Sequence, residues 1–308
     1  MQNLYQKTVL KPINFEGIGL HSGLNASVRL VPAEDNSGII FKRVDLKENN
    51  LIKANFKNVT SAKLCTTLTN SSGNSVSTIE HLMAAFYMTG IDNAIVEINS
   101  KEMPIMDGSS KDFVKLIKSA GVKILKTKRK FLKILKKVEL KDGDKLISIN
   151  PSNGGLSVDF ELKYSNSLIG NQKNKISFHN QNLEEVYSSR TFCLYEDIEK
   201  IKNMGLAKGG SLDNAIVVKN KEILNDEGLR NKKEFVNHKI LDLVGDFLLS
   251  GYRIIGSVKC LQGGHNLSNM FLKEIFKNSS NYEELDVSNV EVFNKNIKID
   301  ANKLAVSA

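Results

Sequence analysis

Residues 234–251 read EFVNHKILDLVGDFLLSG, and this pattern predicts a helix that is apolar on nearly every side. Such a helix belongs in the interior of a protein. Its apolar positions are Phe235, Val236, Ile240, Leu241, Leu243, Val244, Phe247 and Leu248. His238, Asp242 and Asp246 follow one another at intervals of four, so they share one face. Because buried imidazoles and carboxylates need partners, the stretch predicts either a metal site or a hydrogen-bonded structural His-Asp pair.

A third metal ligand has to come from another segment. The best candidate is His81 in STIEHL, residues 77–82. Neighbouring helix residues point about 100° apart, so His81 could bind a metal while Glu80 addresses a water molecule. The alternative for Glu80 is a capping box with Ser77. His265 lies in the turn GGHN, residues 263–266, where a surface position is the alternative to a functional one.

The composition indicates a globular protein of 308 residues with 41% hydrophobic and 25% charged residues. No apolar run is long enough to span a membrane, and the N-terminus lacks the apolar core of a signal peptide. Cys65, Cys193 and Cys260 are widely spaced, which argues against a disulfide framework and for a cytoplasmic location. The net charge of +9 comes with no basic run interleaved with aromatic residues, so nucleic-acid binding is not predicted.

Turn residues and apolar runs divide the chain into two similar α+β units. Short strand-like runs dominate residues 8–44 and 131–162. Helices are predicted at 77–90, 111–121, 234–251 and 267–277. We therefore expect an N-terminal α+β domain over 1–125, a C-terminal α+β domain over 131–277 with an insert near 193–218, and a polar, irregular tail over 278–308.

Several motifs, in the same order along the chain, resemble those of the UDP-3-O-acyl-N-acetylglucosamine deacetylases. They are GIGLHSG (17–23), STIEHL (77–82), PIMDGS (104–109), SRTF (189–192), GGSLDNA (209–215), HKILD (238–242) and GHNL (264–267). The resemblance extends to about residue 276. It implies a fold of two domains, each a β-sheet with helices layered on one face, with the helices packed between the two sheets.

The resemblance also implies an active site for hydrolysis of the N-acetyl group, the committed step of lipid A biosynthesis. The implied ligands of a catalytic Zn²⁺, for which Fe²⁺ could substitute in the cell, are His81, His238 and Asp242. Glu80 would be the general base and not a helix cap. The other implied catalytic residues are Thr191, Lys239, Asp246 and His265, with Thr191 stabilising the oxyanion and His265, held protonated by Asp246, protonating the leaving amine.

Substrate contacts follow from the resemblance as well. An apolar passage through the insert would bind the acyl chain, and Tyr164, Lys163 and Lys145 would contact the nucleotide. The remaining implied substrate-binding residues are Leu20, Cys65, Phe192, Ile198, Gly210, Ser211, Ala215 and Val217. A small private core is the alternative for the apolar residues of the insert. Gln262 replaces a basic residue that is common in related sequences, and Cys193 replaces a common Gly.

Two other functions are alternatives for the same residues. A zinc amidase of another substrate class would keep the metal site but not the apolar insert. A non-catalytic lipid or nucleotide-sugar binding protein would need neither Glu80 nor the pair Asp246 and His265. The resemblance favours the deacetylase, implies a monomer without stable membrane insertion, and places the protein in a Gram-negative cell.

Overall fold

The computed structural model describes residues 4–179 and 181–285. Strands and helices are mixed along the chain in several sheets, which confirms the predicted α+β class. None of the helices in the described ranges is both long enough and apolar enough to cross a membrane.

The first half of the chain builds a five-stranded sheet with the strand order β2-β3-β9-β4-β5. A three-stranded sheet β6-β7-β8 leads into α1, and β1 pairs antiparallel with β10. The elements in chain order are β1 (Tyr5–Val9), β2 (Ile13–Ile18), β3 (Asn25–Pro32), β4 (Ile39–Arg43), β5 (Leu51–Lys53), β6 (Val59–Ser61), β7 (Thr67–Thr69), β8 (Ser75–Val76), α1 (Glu80–Thr89), β9 (Ala94–Ile98), α2 (Lys111–Ala120) and β10 (Val122–Lys128).

The second half builds a seven-stranded sheet around β19. Strands β12, β13, β19, β11 and β20 lie side by side in that order, while β14 also pairs with β19 and carries β15. The elements in chain order are β11 (Phe131–Ile134), β12 (Val138–Asp142), β13 (Lys145–Asn150), β14 (Leu156–Lys163), β15 (Asn171–Ser177), α3 (Glu184–Tyr187), β16 (Phe192–Leu194), α4 (Tyr195–Asn203), β17 (Ile216–Lys219), β18 (Glu222–Ile223), α5 (Glu234–Leu248), β19 (Arg253–Leu261), α6 (His265–Phe276) and β20 (Tyr282–Leu285).

One hydrophobic core joins the two halves. It contains side chains from the five-stranded sheet, such as Phe41, and from the seven-stranded sheet, such as Val258. Alternate residues of β3 and β14 are buried, as expected of strands with one face against a core. Helices α1, α5 and α6 contribute to the same core, which agrees with helices packed between two sheets.

The insert is a small unit of its own secondary structure. Strands β16 and β17 are parallel, helix α4 makes the connection between them, and β18 pairs antiparallel with β17. No residue of α4 is fully buried, so this helix covers the unit from the solvent side.

Several predicted boundaries differ from the structure. Helix α5 ends at Leu248 and not at residue 251, and α6 begins at His265 and not at residue 267. The helix expected from residue 77 begins at Glu80, because Thr78 has a φ of +57° and the Ser77 amide donates to the Lys101 carbonyl at 2.9 Å. Within the predicted irregular tail, Tyr282–Leu285 forms strand β20, which pairs antiparallel with β11 while Tyr282 packs on Phe276 at 5.1 Å. The rest of that predicted tail, 286–308, lies outside the described residues.

Candidate metal centre

Helix α5 supplies one wall of the site. Every residue of α5 except Lys239 is buried, so His238, Asp242 and Asp246 lie in the protein interior along one helix face. Burial lowers the pKa of His238 to about 3, so its imidazole is neutral, the form that binds metals. Burial alone would raise the pKa of Asp242, but His238, Lys239 and His265 outweigh it and hold that pKa well below its usual range.

Helix α1 supplies the opposite wall, and Gly245 lets it approach α5 closely. A Cβ atom added at Gly245 would lie 2.2 Å from the Glu80 carbonyl oxygen, so any larger side chain would push the two helices apart. This contact lies at the first residue of α1 and places Glu80 and His81 against the polar face of α5.

Three buried side chains converge between these helices. The ligand atoms of His81, His238 and Asp242 all lie within 4.8 Å of one another. Asp242 Oδ1 is 3.6 Å from His81 Nε2 and 3.4 Å from His238 Nε2, yet this oxygen has no hydrogen-bond partner among the residues that the structure describes. An unpaired buried carboxylate oxygen facing two imidazoles is unfavourable without a cation, so these residues fit a metal ion.

Backbone contacts hold the two imidazole-bearing segments in place. His238 Nδ1 lies 3.1 Å from the Ser189 carbonyl oxygen. Since that oxygen can only accept, Nδ1 carries the proton and Nε2 presents its lone pair to the site. On the other helix, Ser110 Oγ donates to the His81 carbonyl at 2.7 Å.

Glu80 lies beside the three candidate ligands and does not cap its helix. The residue preceding α1 makes no side-chain capping bond, and Glu80 Oε2 instead accepts from the Thr66 amide at 3.1 Å. Glu80 Oε1 lies 3.5 Å from His265 Nε2. Burial raises the pKa of Glu80, which makes this carboxylate a stronger base than an exposed one.

His265 and Asp246 form a second buried pair next to Glu80. His265 Nδ1 lies 2.9 Å from Asp246 Oδ2, and Thr66 Oγ1 donates to Asp246 Oδ1 at 2.7 Å. Burial alone would lower the pKa of His265, but Asp246, Glu80 and Asp242 outweigh it and raise the pKa to about 10. The pair therefore presents an imidazolium to the site at neutral pH.

Lys239 borders the centre, and Thr191 lies just before the insert. Lys239 Nζ donates to Asp242 Oδ2 at 3.0 Å and lies 5.5 Å from the centroid of the Phe192 ring. Thr191 immediately precedes β16, and its amide donates to the Gly108 carbonyl at 2.7 Å.

A largely apolar cavity of about 420 Å³ opens between the insert and the loop that carries Leu20. Buried Glu102 fixes that loop, because its carboxylate accepts from the His21 and Ser22 amides at 2.8 and 2.7 Å. The cavity brings together eight of the sequence-predicted residues. They are Leu20, Thr191, Phe192, Ile198, Gly210, Ser211, Ala215 and Val217.

Four other predicted substrate contacts do not line this cavity. Tyr164 packs its ring against Phe192 at 5.7 Å, Lys163 pairs with Glu161 at 3.1 Å, and Lys145 is exposed in the β12-β13 hairpin. Cys65 is half-buried beside the Thr66 amide, and burial with the nearby Glu80 carboxylate raises its pKa to about 12. Its thiol therefore stays protonated, consistent with the expected non-catalytic position.

Sequence reasoning missed two groups that organise the site. Thr66 joins Glu80 to Asp246, although its neighbour Cys65 was the residue singled out. The Ser189 carbonyl orients His238. The SRTF motif, residues 189–192, was the available signal for Ser189, but a backbone carbonyl leaves no mark in a sequence.

The family model and the individual relatives that match this chain point to the same family. Residues 6–277 match the family model described as UDP-3-O-acyl N-acetylglycosamine deacetylase. Three relatives carry the name UDP-3-O-acyl-N-acetylglucosamine deacetylase. The protein of Wigglesworthia glossinidia brevipalpis is 43% identical over 90% of this chain and 94% of its own length, that of Nautilia profundicola 44% over 88% and 91%, and that of Citrifermentans bemidjiense 41% over 98% of both. The chain belongs to the UDP-3-O-acyl N-acetylglycosamine deacetylase family.

Proposed function

We propose that this protein hydrolyses the N-acetyl group of UDP-3-O-acyl-N-acetylglucosamine and so acts in lipid A biosynthesis. The observation that carries the proposal is the buried group of His81, His238 and Asp242, with the unpaired Asp242 Oδ1 at its centre and Glu80 alongside. Family membership supports the reaction and the substrate.

Zn²⁺ is the proposed ion, held by His81, His238 and Asp242. Two imidazole nitrogens and one carboxylate oxygen form a donor set that catalytic zinc sites use, and Fe²⁺ accepts the same set. When bound, the ion acts as a Lewis acid that makes water more acidic and polarises a carbonyl oxygen. Lys239 neutralises the outer oxygen of Asp242 and thereby keeps this ligand ionised.

Glu80 is the proposed general base. Its carboxylate takes a proton from the water that attacks the acetyl carbonyl. The Thr66 amide holds Glu80 Oε2 at 3.1 Å, which leaves Oε1 directed at the interior of the site. A pKa raised by burial brings the base closer to neutral pH, where general-base catalysis is most efficient.

Thr191 and His265 are the proposed residues that stabilise the negative charge on the acetyl oxygen. As negative charge develops on the acetyl oxygen, the Thr191 hydroxyl donates a hydrogen bond to it. The His265 imidazolium, fixed by Asp246 at 2.9 Å, adds positive charge and then donates its Nε2 proton to the departing amine. Lys239 contributes further positive charge at the edge of the site.

The acyl chain occupies the apolar cavity under the insert. Phe192, Ile198, Ala215 and Val217 supply its apolar surface, and Leu20, Gly210 and Ser211 border it. Tyr164, Lys163 and Lys145 remain the proposed nucleotide contacts, with Cys65 near the metal. We also propose that the protein is a cytoplasmic monomer with domains at 1–125 and 131–277.

Substrate discrimination tests the function against a zinc amidase of another class. We expect the zinc-loaded protein to release free amine from UDP-3-O-acyl-N-acetylglucosamine much faster than from UDP-N-acetylglucosamine, which lacks the acyl chain. An N-acetylated dipeptide serves as the control for general amidase activity. Equal turnover of all three compounds, or turnover of the dipeptide alone, would contradict the proposal.

A further inference from the structure

A single peptide group connects the metal helix to the segment that carries Thr191. The carbonyl of Ser189 accepts from His238 Nδ1 at 3.1 Å, and the amide of Arg190, in the same peptide group, donates to Glu234 Oε1 at 3.1 Å. Glu234 and His238 lie four residues apart on α5 and so share one face. Because the peptide group is planar, holding its N–H also fixes the direction of its C=O.

The Arg190 side chain strengthens the same attachment. Arg190 is fully buried, and its Nε donates to Glu234 Oε1 at 2.9 Å while one Nη donates to Glu234 Oε2 at 3.3 Å. Glu227 accepts from Nη1, and the Gly228 carbonyl accepts from Nη2. A forked guanidinium with two carboxylates is a rigid contact, which Lys cannot reproduce.

The buried carboxylate of Glu234 bonds both Arg190 and the segment that precedes α5. Among the described residues it accepts only from Arg190 and from the Arg230 amide, the latter at 2.6 Å, and it is fully buried at the first residue of α5. An anion there is favoured by the helix dipole. Its contacts with Arg190 fix the 189–190 peptide from a position one helical turn before His238, while its contact with the Arg230 amide holds the segment that leads into α5.

We propose that Arg190 and Glu234 are positioning residues for the reaction. By fixing the 189–190 peptide they hold the Ser189 carbonyl that sets the His238 tautomer, and they place the neighbouring Thr191 hydroxyl at the cavity. They touch neither the substrate nor the metal. The proposal rests on the proposed function for its catalytic part, but its effect on metal affinity can be measured without any substrate.

The test compares metal affinity in matched variants of the full chain. Zinc affinity is measured by competition with a chelator, and the cobalt(II) form is examined by visible absorption, which reports ligand geometry. We expect Arg190→Met and Glu234→Gln to weaken zinc binding about 10- to 100-fold, as loss of a group supporting a metal ligand does. Their cobalt spectra should change, and kcat should fall more than KM rises.

Arg253→Met is the matched control. Arg253 is also a buried arginine with several acceptors, but it bonds the carbonyls of Phe86, Tyr87 and Ile91 at the far end of α1. The Arg253→Met variant should lose stability yet keep the zinc affinity and the cobalt spectrum of the parent protein. If Arg190→Met does not fold, Arg190→Lys replaces it in the test, because lysine keeps the positive charge and is the smaller perturbation to folding.

Each outcome of this comparison either supports or overturns the positioning role. A folded Arg190→Lys or Glu234→Gln protein with the zinc affinity, cobalt spectrum and kcat of the parent would overturn the positioning role. Weakened zinc affinity in the Arg190 and Glu234 variants alone would support it. If the parent protein binds zinc but never turns over the proposed substrate, the proposed function fails while the metal-affinity comparison still stands.

Discussion

A neighbouring group with a fixed position determines the protonation state of His238, and another determines that of His265. The Ser189 carbonyl holds the proton on His238 Nδ1, whereas the Asp246 carboxylate stabilises a charged His265. Two histidines within the same site thus take opposite protonation states, one neutral for metal binding and one cationic for proton donation. The difference follows from their partners, since both imidazoles are buried.

Asp246→Asn tests this assignment through the pH profile. Because Asp246 favours the imidazolium, its removal lowers the pKa of His265, and the proton donor is lost at a lower pH than in the parent. We expect the alkaline limb of kcat/KM to move toward lower pH. Asp45→Asn, which removes a carboxylate bound to Arg43 elsewhere, should leave the profile in place. An unmoved alkaline limb in Asp246→Asn would show that His265 does not supply the proton.

Residue identities in the site were predictable where spacing or a motif marked them. His238, Asp242 and Asp246 could be grouped from their helical spacing, and His81 was the best candidate for a third ligand from its own segment. The roles of Glu80 and His265 depended on the family resemblance. Thr66 could not be predicted, because a threonine that bonds a carboxylate 180 residues away leaves no local pattern.

At the scale of elements, the crossing of α1 and α5 sets the geometry of the metal centre. His81 comes from one helix and His238 with Asp242 from the other, so their spacing depends on how closely the helices approach. The backbone contact between Gly245 and Glu80 fixes that distance. Gly is otherwise a poor helix residue, so its presence in α5 has a packing reason.

Gly245→Ala should therefore weaken metal binding. The added methyl group would meet the Glu80 carbonyl oxygen at 2.2 Å, and the helices must separate to accommodate it. We expect zinc affinity to fall about tenfold or more, as for other changes in the support of metal ligands, measured by chelator competition. Gly38→Ala is the control, since φ is +66° but an added Cβ would meet no heavy atom of the described residues within 4 Å, and it should cost stability alone. Unchanged zinc affinity in Gly245→Ala would refute the role of this crossing.

The insert should determine how the enzyme treats long acyl chains. Leu212 lines the apolar cavity and is 45% exposed, so Leu212→Asp places a charge there without disturbing the core. We expect KM for a long-chain substrate to rise about tenfold, corresponding to about 1.4 kcal/mol, with little change for a short chain. Met204→Asp, equally exposed at the end of α4 and outside the cavity lining, is the matched control. Equal effects of both variants on both substrates would argue against acyl binding here.

Elements were predicted less completely than residues. The apolar character of residues 193–218 was evident, but the strand-helix-strand arrangement of β16, α4 and β17 was not, because three- and four-residue strands carry too little periodicity. Strand β20 was missed for a related reason. Its sequence, YEEL, is polar, and it becomes a strand only through pairing with β11.

At the scale of the whole molecule, the metal centre links the two halves of the chain. Helix α1 precedes the central strand β9 of the first sheet, and α5 precedes the central strand β19 of the second. Long-range pairing such as that of β14 with β19 could not be predicted from local sequence. The α+β class could, because turn residues separate strand-like runs from helical ones.

Metal removal should lower the stability of the entire protein. A ligand that binds only the folded state stabilises it by about 2.7 kcal/mol at a free concentration 100 times Kd. We expect chelation to lower Tm and added zinc to restore it, measured by thermal unfolding. Asp242→Ala, which lacks one proposed ligand, should respond much less to zinc. A parent protein whose Tm is indifferent to zinc would indicate that no folded site binds it.

The most direct test of the account is release of acetate from UDP-3-O-acyl-N-acetylglucosamine by the apo protein, by the protein with one equivalent of zinc, and by zinc-loaded Glu80→Gln. We predict no turnover without metal, full turnover with one equivalent, and a loss of about 10²- to 10⁴-fold in the variant, which still binds zinc. Turnover that persists in the apo protein, or a Glu80→Gln variant as active as the parent, would contradict a metal-dependent deacetylase built on His81, His238, Asp242 and Glu80.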